Sequence, residues 1–298
     1  AIRIVTNPES EEVKLYEYST FSEFQIDNNC VNFIHEDGQK NIWLGTNNGL
    51  YAINPVSNQI KTYQPNSNAN SNAFFSFYNS KNDIWFGDKN GFVWHFSTTK
   101  NSFEIIKLKQ ATKVTDIEAV GKDHLIFTTN SSGFYVYSLR NKSLINFDKS
   151  NTASIKTSKF ISVKVDSYGV AWLEAEQTGV FRFRLSDNSL KHFQLKTDAV
   201  SRISVLPNFI VFEDINKRLW INPQGGGFSR YNRNTDELEY FYNEPGSAQC
   251  RFSNVIHSVF TDKKGTLWMC TYNKGLEKIS FFSPQFRLGK PNPAINTL

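Results

Sequence analysis

Cysteine, methionine, long apolar runs and blocks of like charge are all scarce in this sequence, and each shortage removes a class of protein. Three cysteines in 298 residues, Cys30, Cys250 and Cys270, form no C-x-x-C pair and have no histidines at zinc-ligand spacing. So sparse a set neither demands an oxidising compartment nor excludes one. No apolar run approaches the roughly 18–20 residues of a membrane helix, and Ala1 opens no signal peptide. The chain therefore reads as a soluble piece, one that fits excision from something longer. Lys and Arg number 33 against 28 Asp and Glu, a net charge of +5. These charges are scattered, so the surplus is expected on a solvated surface and no nucleic-acid partner is expected. No stretch of ten or more residues keeps a 3.6-residue apolar period, which argues against helices.

What is abundant is aromatic: Phe, Trp and Tyr make up 15% of the chain, with 26 Phe. Such residues fit pleated, half-buried surfaces. They are also periodic. Trp43, Trp85, Phe127, Trp172, Trp220 and Trp268 follow one another at intervals of 42, 42, 45, 48 and 48 residues, and each is followed six or seven residues later by a glycine, from Gly49 to Gly275. Short alternating strands around an aromatic that recurs with a period in the forties predict propeller blades. The expected fold is all-β, a β-propeller of four-stranded antiparallel blades spanning 1–290, with 291–298 as a tail or linker.

The first full unit predicts strands at Cys30–His35, Ile42–Gly45, Leu50–Ile53 and Ile60–Tyr63. Five more units follow, the last with strands at Val255–Thr261, around Trp268, at Leu276–Phe281 and at Phe286–Leu288. Ahead of them, Ile2–Pro8 and Val13–Tyr18 resemble the third and fourth strands of a unit. The tally is six blades plus a leading half-blade. That points to a seven-bladed plan completed by a longer parent, with a six-bladed ring as the alternative. In Asp262-Lys263-Lys264-Gly265 the Asp accepts backbone N–H groups and the Gly takes φ > 0 to close a hairpin. The Trp is expected to pack between blades.

The unit from Asn254 to Trp268, leading into Gly275-Leu276, is similar to the regulator-propeller repeat of hybrid two-component sensors. Asn32 to Pro55 follows the same pattern closely, and Gly226 to Asn232 matches its later half. This resemblance implies the periplasmic, ligand-sensing region of a membrane receptor whose parent is a sensor histidine kinase. It further implies an oligosaccharide ligand, control of glycan-utilisation genes, and a homodimer in the full receptor. The membrane would be reached only through a segment after this chain. The rival readings are a dimerisation or interaction scaffold and, last, a propeller lyase or hydrolase.

No enzyme assembles from the residues. The five histidines do not pair at metal-ligand spacing, so no metal or other cofactor is expected, and Gly225-Gly226-Gly227 lacks the Lys and helix of a phosphate loop. Glu174 and Glu176 share a strand face, but two acids on one strand better suit an edge or rim than glycosidase chemistry. Binding a sugar needs aromatic faces and planar polar side chains. The turns between second and third strands converge on one face of a propeller, and they carry Asn47, Asn48, Asp88, Lys89, Asn90, Asn130, Ser131, Glu176, Gln177, Gln224, Tyr272, Asn273 and Lys274. Of these, Asp88, Lys89, Glu176, Gln177, Gln224, Tyr272, Asn273 and Lys274 are the candidate ligand residues. Trp94 joins them as a departure from the repeat, either an exposed stacking platform or an aromatic buried between blades.

Overall fold

The computed structural model describes residues 2–6, 13–17, 30–63, 73–80, 83–176, 179–194, 210–222, 227–241, 253, 255–262, 266–271 and 274–279, and among them every regular element is a β-strand. The chain divides into two compact units, Ala1–Leu195 and Lys196–Leu298.

The first unit opens with a two-stranded sheet, Ile2–Thr6 against Val13–Glu17. Four sheets of four antiparallel strands follow, each ordered as in the sequence. The first comprises Val31–Glu36, Ile42–Thr46, Gly49–Ile53 and Ile60–Tyr63. The second comprises Phe74–Ser80, Asp83–Asp88, Phe92–Ser97 and Ser102–Lys107. Val114–Val120, His124–Thr129, Phe134–Ser138 and Leu144–Phe147 form the third. Phe160–Val165, Ala171–Ala175, Gly179–Arg184 and Ser189–Phe193 form the fourth. In the second unit, Ile210–Glu213, Leu219–Asn222, Phe228–Asn232 and Glu237–Phe241 make a fifth such sheet. Ile256–Thr261, Leu267–Thr271 and Gly275–Ile279 make a sixth with three strands. Its expected fourth strand at 286–288 lies outside the described residues, as does 291–298. Consecutive strands pairing in order, four to a sheet, is blade construction.

Burial follows from that construction. The second and third strands of the first sheet are buried almost throughout, while its fourth has only exposed and half-buried residues. A middle strand covered on both faces by neighbouring sheets has no solvent side, so the apolar/polar alternation expected of a half-exposed strand disappears. Within each unit the core accordingly lies between successive sheets. Trp43 packs its ring 5.7 Å from Phe86 and 5.5 Å from Phe96 of the second sheet. Trp85 reaches Tyr137 of the third, at 6.1 Å. In the second unit Trp220 and Phe228 pack with Leu267 and Met269 of the sixth sheet.

The recurring turn between first and second strands is held by one carboxylate. Asp37 accepts backbone N–H bonds from Gln39 and Asn41 on Oδ1, and the Trp43 indole N–H on Oδ2 at 2.8 Å. Asp166 does the same for Tyr168, Val170 and Trp172, and Asp214 for Asn216, Arg218 and Trp220, each indole bond being 2.9 Å. Asp262 accepts from Thr266 and, at 3.1 Å, from Trp268. The Asp therefore closes the turn and locks the Trp rotamer six residues later. The third sheet has Phe127 and, six residues before it, Gly121; without an indole N–H the carboxylate has nothing to lock. The left-handed residue that closes this turn is Gly169 (φ 75°) in the fourth sheet but Lys40 (φ 67°) and Lys217 (φ 60°) in the first and fifth. Glycine is thus not required there, at a local cost of about 1 kcal/mol.

Candidate ligand-recognition surface

The turns between second and third strands begin on a buried polar side chain. Thr46 Oγ1 donates to the Gly49 carbonyl and accepts the Asn48 N–H; Thr129 and Thr271 make the same pair of bonds with Gly133 and Ser132, and with Gly275 and Lys274. The six glycines picked out by their spacing all have positive φ. At Gly133 a Cβ would stand 2.0 Å from the Phe147 carbonyl oxygen, so a close approach excludes any side chain there as well.

With the turn backbone satisfied internally, the side chains beyond it project outward. Asn47, Asn48, Lys89, Asn130, Ser131 and Lys274 are all exposed. Several are tied to the neighbouring first strand. Asn32 donates to Asn47 Oδ1 and to the Phe74 carbonyl, both at 3.0 Å. Thr112 donates to Asn130 Oδ1, and Glu176 forms an ion pair with Lys159 at 2.9 Å. Gln177, Gln224, Tyr272 and Asn273 lie outside the described residues.

Asp88 and Trp94 take a different role from the one their sequence position suggests. Trp94 is only 4% exposed and packs edge-on to Phe74, so it presents no stacking face to solvent. Asp88 is buried too. It accepts the N–H groups of Asn90 and Phe92 on Oδ1, both at 2.8 Å, and the Trp94 indole on Oδ2 at 3.3 Å. This is the Asp-to-Trp lock again, at the same six-residue spacing, moved one hairpin along the second sheet. Register removes the supposed break in the repeat. Trp94 pairs with Phe86 as Tyr51 pairs with Leu44 and Phe181 with Leu173, an aromatic at an aromatic position.

The structure adds residues that the sequence reading passed over. Each first strand of the first four sheets opens with a bulge, at Asn32, Phe75, Thr115 and Ile161. A bulge re-aims its extra side chain. Asn32 and Thr115 use it to donate to the first-strand carbonyls of Phe74 and Phe160 in the next sheet. Phe75 instead lies beneath the Lys113 ammonium, 3.8 Å from its ring centroid, and burial holds that lysine below its ordinary pKa. Phe75 and Lys113 thus add an aromatic face and a cation beside Asn130, whose Oδ1 accepts the Lys113 N–H. Lower on the first strands, Asp116 Oδ2 accepts the Val163 N–H of the next sheet, and burial pushes its carboxyl up to about 6. No signal in the sequence marks a bulge except a lapse of alternation.

The described residues hold no group of three His, Cys, Asp or Glu placed to bind a metal, and no helix long and apolar enough to cross a membrane.

Comparison with known proteins places this geometry. Residues 25–48 and 251–273 match the model of the two component regulator propeller. No curated protein matches the chain. Among solved structures, it is similar to an extracellular domain described as that of a hybrid two component system from B. thetaiotaomicron, with a TM-score of 0.60 and 19% identity over 85% of this chain and 34% of that one. It is also similar to virginiamycin B lyase from Staphylococcus aureus (TM-score 0.63, 16% identity, 94% and 88% coverage) and to PorZ of Porphyromonas gingivalis (0.55, 16%, 84% and 38%). At these identities the likeness is one of fold. The chain spans about a third of the length of the receptor domain. Two stretches of the chain thus match the two component regulator propeller repeat, within sheets built as propeller blades are.

Proposed function

We propose that the chain is an extracytoplasmic sensing region of a hybrid two-component receptor, lying in the periplasm, and that its ligand is an oligosaccharide. The observation that carries this reading is the regulator propeller match at 25–48 and 251–273, two stretches that carry the same Asp-to-Trp turn in the first and sixth sheets. The surface chemistry supports a sugar. The turns between second and third strands offer amides, hydroxyls and lysines, and Phe75 with Lys113 supplies the ring and cation that a hydroxylated or acidic glycan contacts. The fold shared with a lyase carries no chemistry by itself, because sites rather than folds catalyse.

In the receptor, the ligand acts by binding one of two arrangements of a homodimer more tightly than the other. The test is a thermal-shift screen of the folded chain against defined neutral and acidic oligosaccharides, with calorimetry on each hit. A ligand that binds only the native state raises Tm by mass action. The expected result is a saturable hit weakened by Lys113→Ala. A flat screen on well-folded protein, or turnover of any glycan, would overturn the reading.

A further inference from the structure

The residue directly opposite the repeated aromatic differs in one sheet. It is His95 against Trp85, Tyr135 against Phe127, Arg182 against Trp172, Arg230 against Trp220 and Lys278 against Trp268. Each is large, and His95 stacks flat on Trp85 with centroids 4.0 Å apart. In the first sheet the position opposite Trp43 is Ala52. The space this leaves is a cavity of about 370 Å³, within the range of about 300–1,000 Å³ of small-ligand sites. It lies between the first and second sheets, at the end of the Asp37 turn and the third-to-fourth hairpins. That is the opposite end of the sheets from the turns considered above.

Its walls combine two chemistries. Trp43 and Tyr63 are stacked with centroids 5.5 Å apart and form the aromatic side. Gln59, Lys61 and Asn101 stand around it with side chains that have no partner among the described residues, and the Tyr63 hydroxyl has none there either. Cross-strand pairing explains why they gather: Trp43, Ala52 and Lys61 form one row across the sheet. Gln59 and Tyr63 flank Lys61 on the same face of the fourth strand, by the two-residue period. The Asp37 carboxylate is fully engaged by its turn and by Trp43, so among the described residues of the lining Lys61 is the one free charge.

We infer that this cleft is a second binding site, for a single pyranose ring, with Lys61 favouring one that bears a carboxylate. The ring takes the place that His95 occupies in the second sheet, while Gln59, Asn101 and the Tyr63 hydroxyl receive its hydroxyl groups. The inference depends on the sensing reading only for the choice of sugars as probes.

The test uses the whole chain with glucuronic acid and glucose at millimolar concentration, read by ligand-observed NMR and titrated to obtain Kd. Glucuronic acid is expected to bind more tightly than glucose. Ala52→His, which seats a ring as the second sheet does, is expected to weaken binding at least tenfold. Gln59→Ala with Lys61→Ala, both on exposed side chains that folding does not need, is expected to weaken it comparably and to remove the preference for the acid. Lys122→Ala, on an exposed turn of the third sheet away from both sites, is expected to leave it unchanged. Absence of binding by the native chain, or native affinity in both cleft variants, would overturn the inference. Oligosaccharide binding that Lys113→Ala weakens and Ala52→His does not would sink the cleft while leaving the sensing reading intact.

Discussion

The first and second sheets are built on one plan and differ in two places. In the second, His95 covers Trp85, and the Asp-to-Trp lock sits in the later hairpin as Asp88 and Trp94. In the first, the small Ala52 stands opposite Trp43, and the lock sits in the earlier turn as Asp37 and Trp43. The electrostatics diverge with the position. Burial pushes the Asp37 carboxyl up, but bonds from Trp43, Asn41 and Gln39 outweigh it and leave the group below its ordinary pKa. At Asp88 burial wins, and the carboxyl lies above its ordinary value. The Asp88 indole bond is longer, and no side-chain amide supplements it as Asn41 does at 3.1 Å for Asp37. The same three-bond device is thus a stabilised anion in one sheet and a strained one in the next. The comparison teaches that a motif's bonding pattern does not set its charge preference; the depth and completeness of its donors do.

The largest expected effect comes from breaking the lock. Asp37→Ala leaves two turn N–H groups and the Trp43 indole without their acceptor, a loss of about 2–4 kcal/mol. Urea denaturation measures it, and a change under 1 kcal/mol would show the lock to be incidental. His95→Ala makes the second sheet resemble the first. Loss of the stacked ring and of its 2.8 Å contact to Asp83 is expected to cost about 1–3 kcal/mol.

Acid titration of stability separates the two carboxylates. Asp37 is depressed, so its contribution holds above the ordinary value of 3.8 and is lost as pH falls through its folded pKa. Asp88 is raised, so the folded state holds a proton that the unfolded state has released, and stability declines as pH rises from 3.8 through its folded pKa. Asp88→Asn is expected to flatten that decline, and Asp37→Asn to flatten the loss at lower pH. Asp116, near 6, acts in the same direction as Asp88, so the Asp88 comparison is made in an Asp116→Asn background. Equal pH profiles for the Asp88 and Asp37 variants would contradict the contrast. The smallest effect is a gain. Lys40→Gly relieves a left-handed backbone at φ 67° and gives up only an exposed ion pair with Glu36, for a net increase of about 0.5–1 kcal/mol.

Strand positions were legible in the sequence because each blade repeats an aromatic, a glycine and a turn at nearly fixed spacing. Five sheets of four strands, the leading pair of strands and the positive φ of six glycines all follow that reading. Trp94 was read as either an exposed platform or a buried aromatic, and the second holds. A shift of one in a period of two exchanges the faces of a strand, and nothing local distinguishes the faces when both are buried. Phe75 and Lys113 were missed because a bulge adds a residue without a composition signal.

The sequence by itself determined which segments become strands, where they turn and which carboxylate locks which indole, because each of these depends on residues within about six positions of one another. Only the tertiary structure decided what each side chain meets. Ala52 is an unremarkable small residue until register sets it opposite Trp43, and Lys61 and Asn101 are ordinary surface groups until two sheets pack side by side. A cavity is a difference between what a neighbouring surface could fill and what it does fill. That difference exists only once non-local strands have come together.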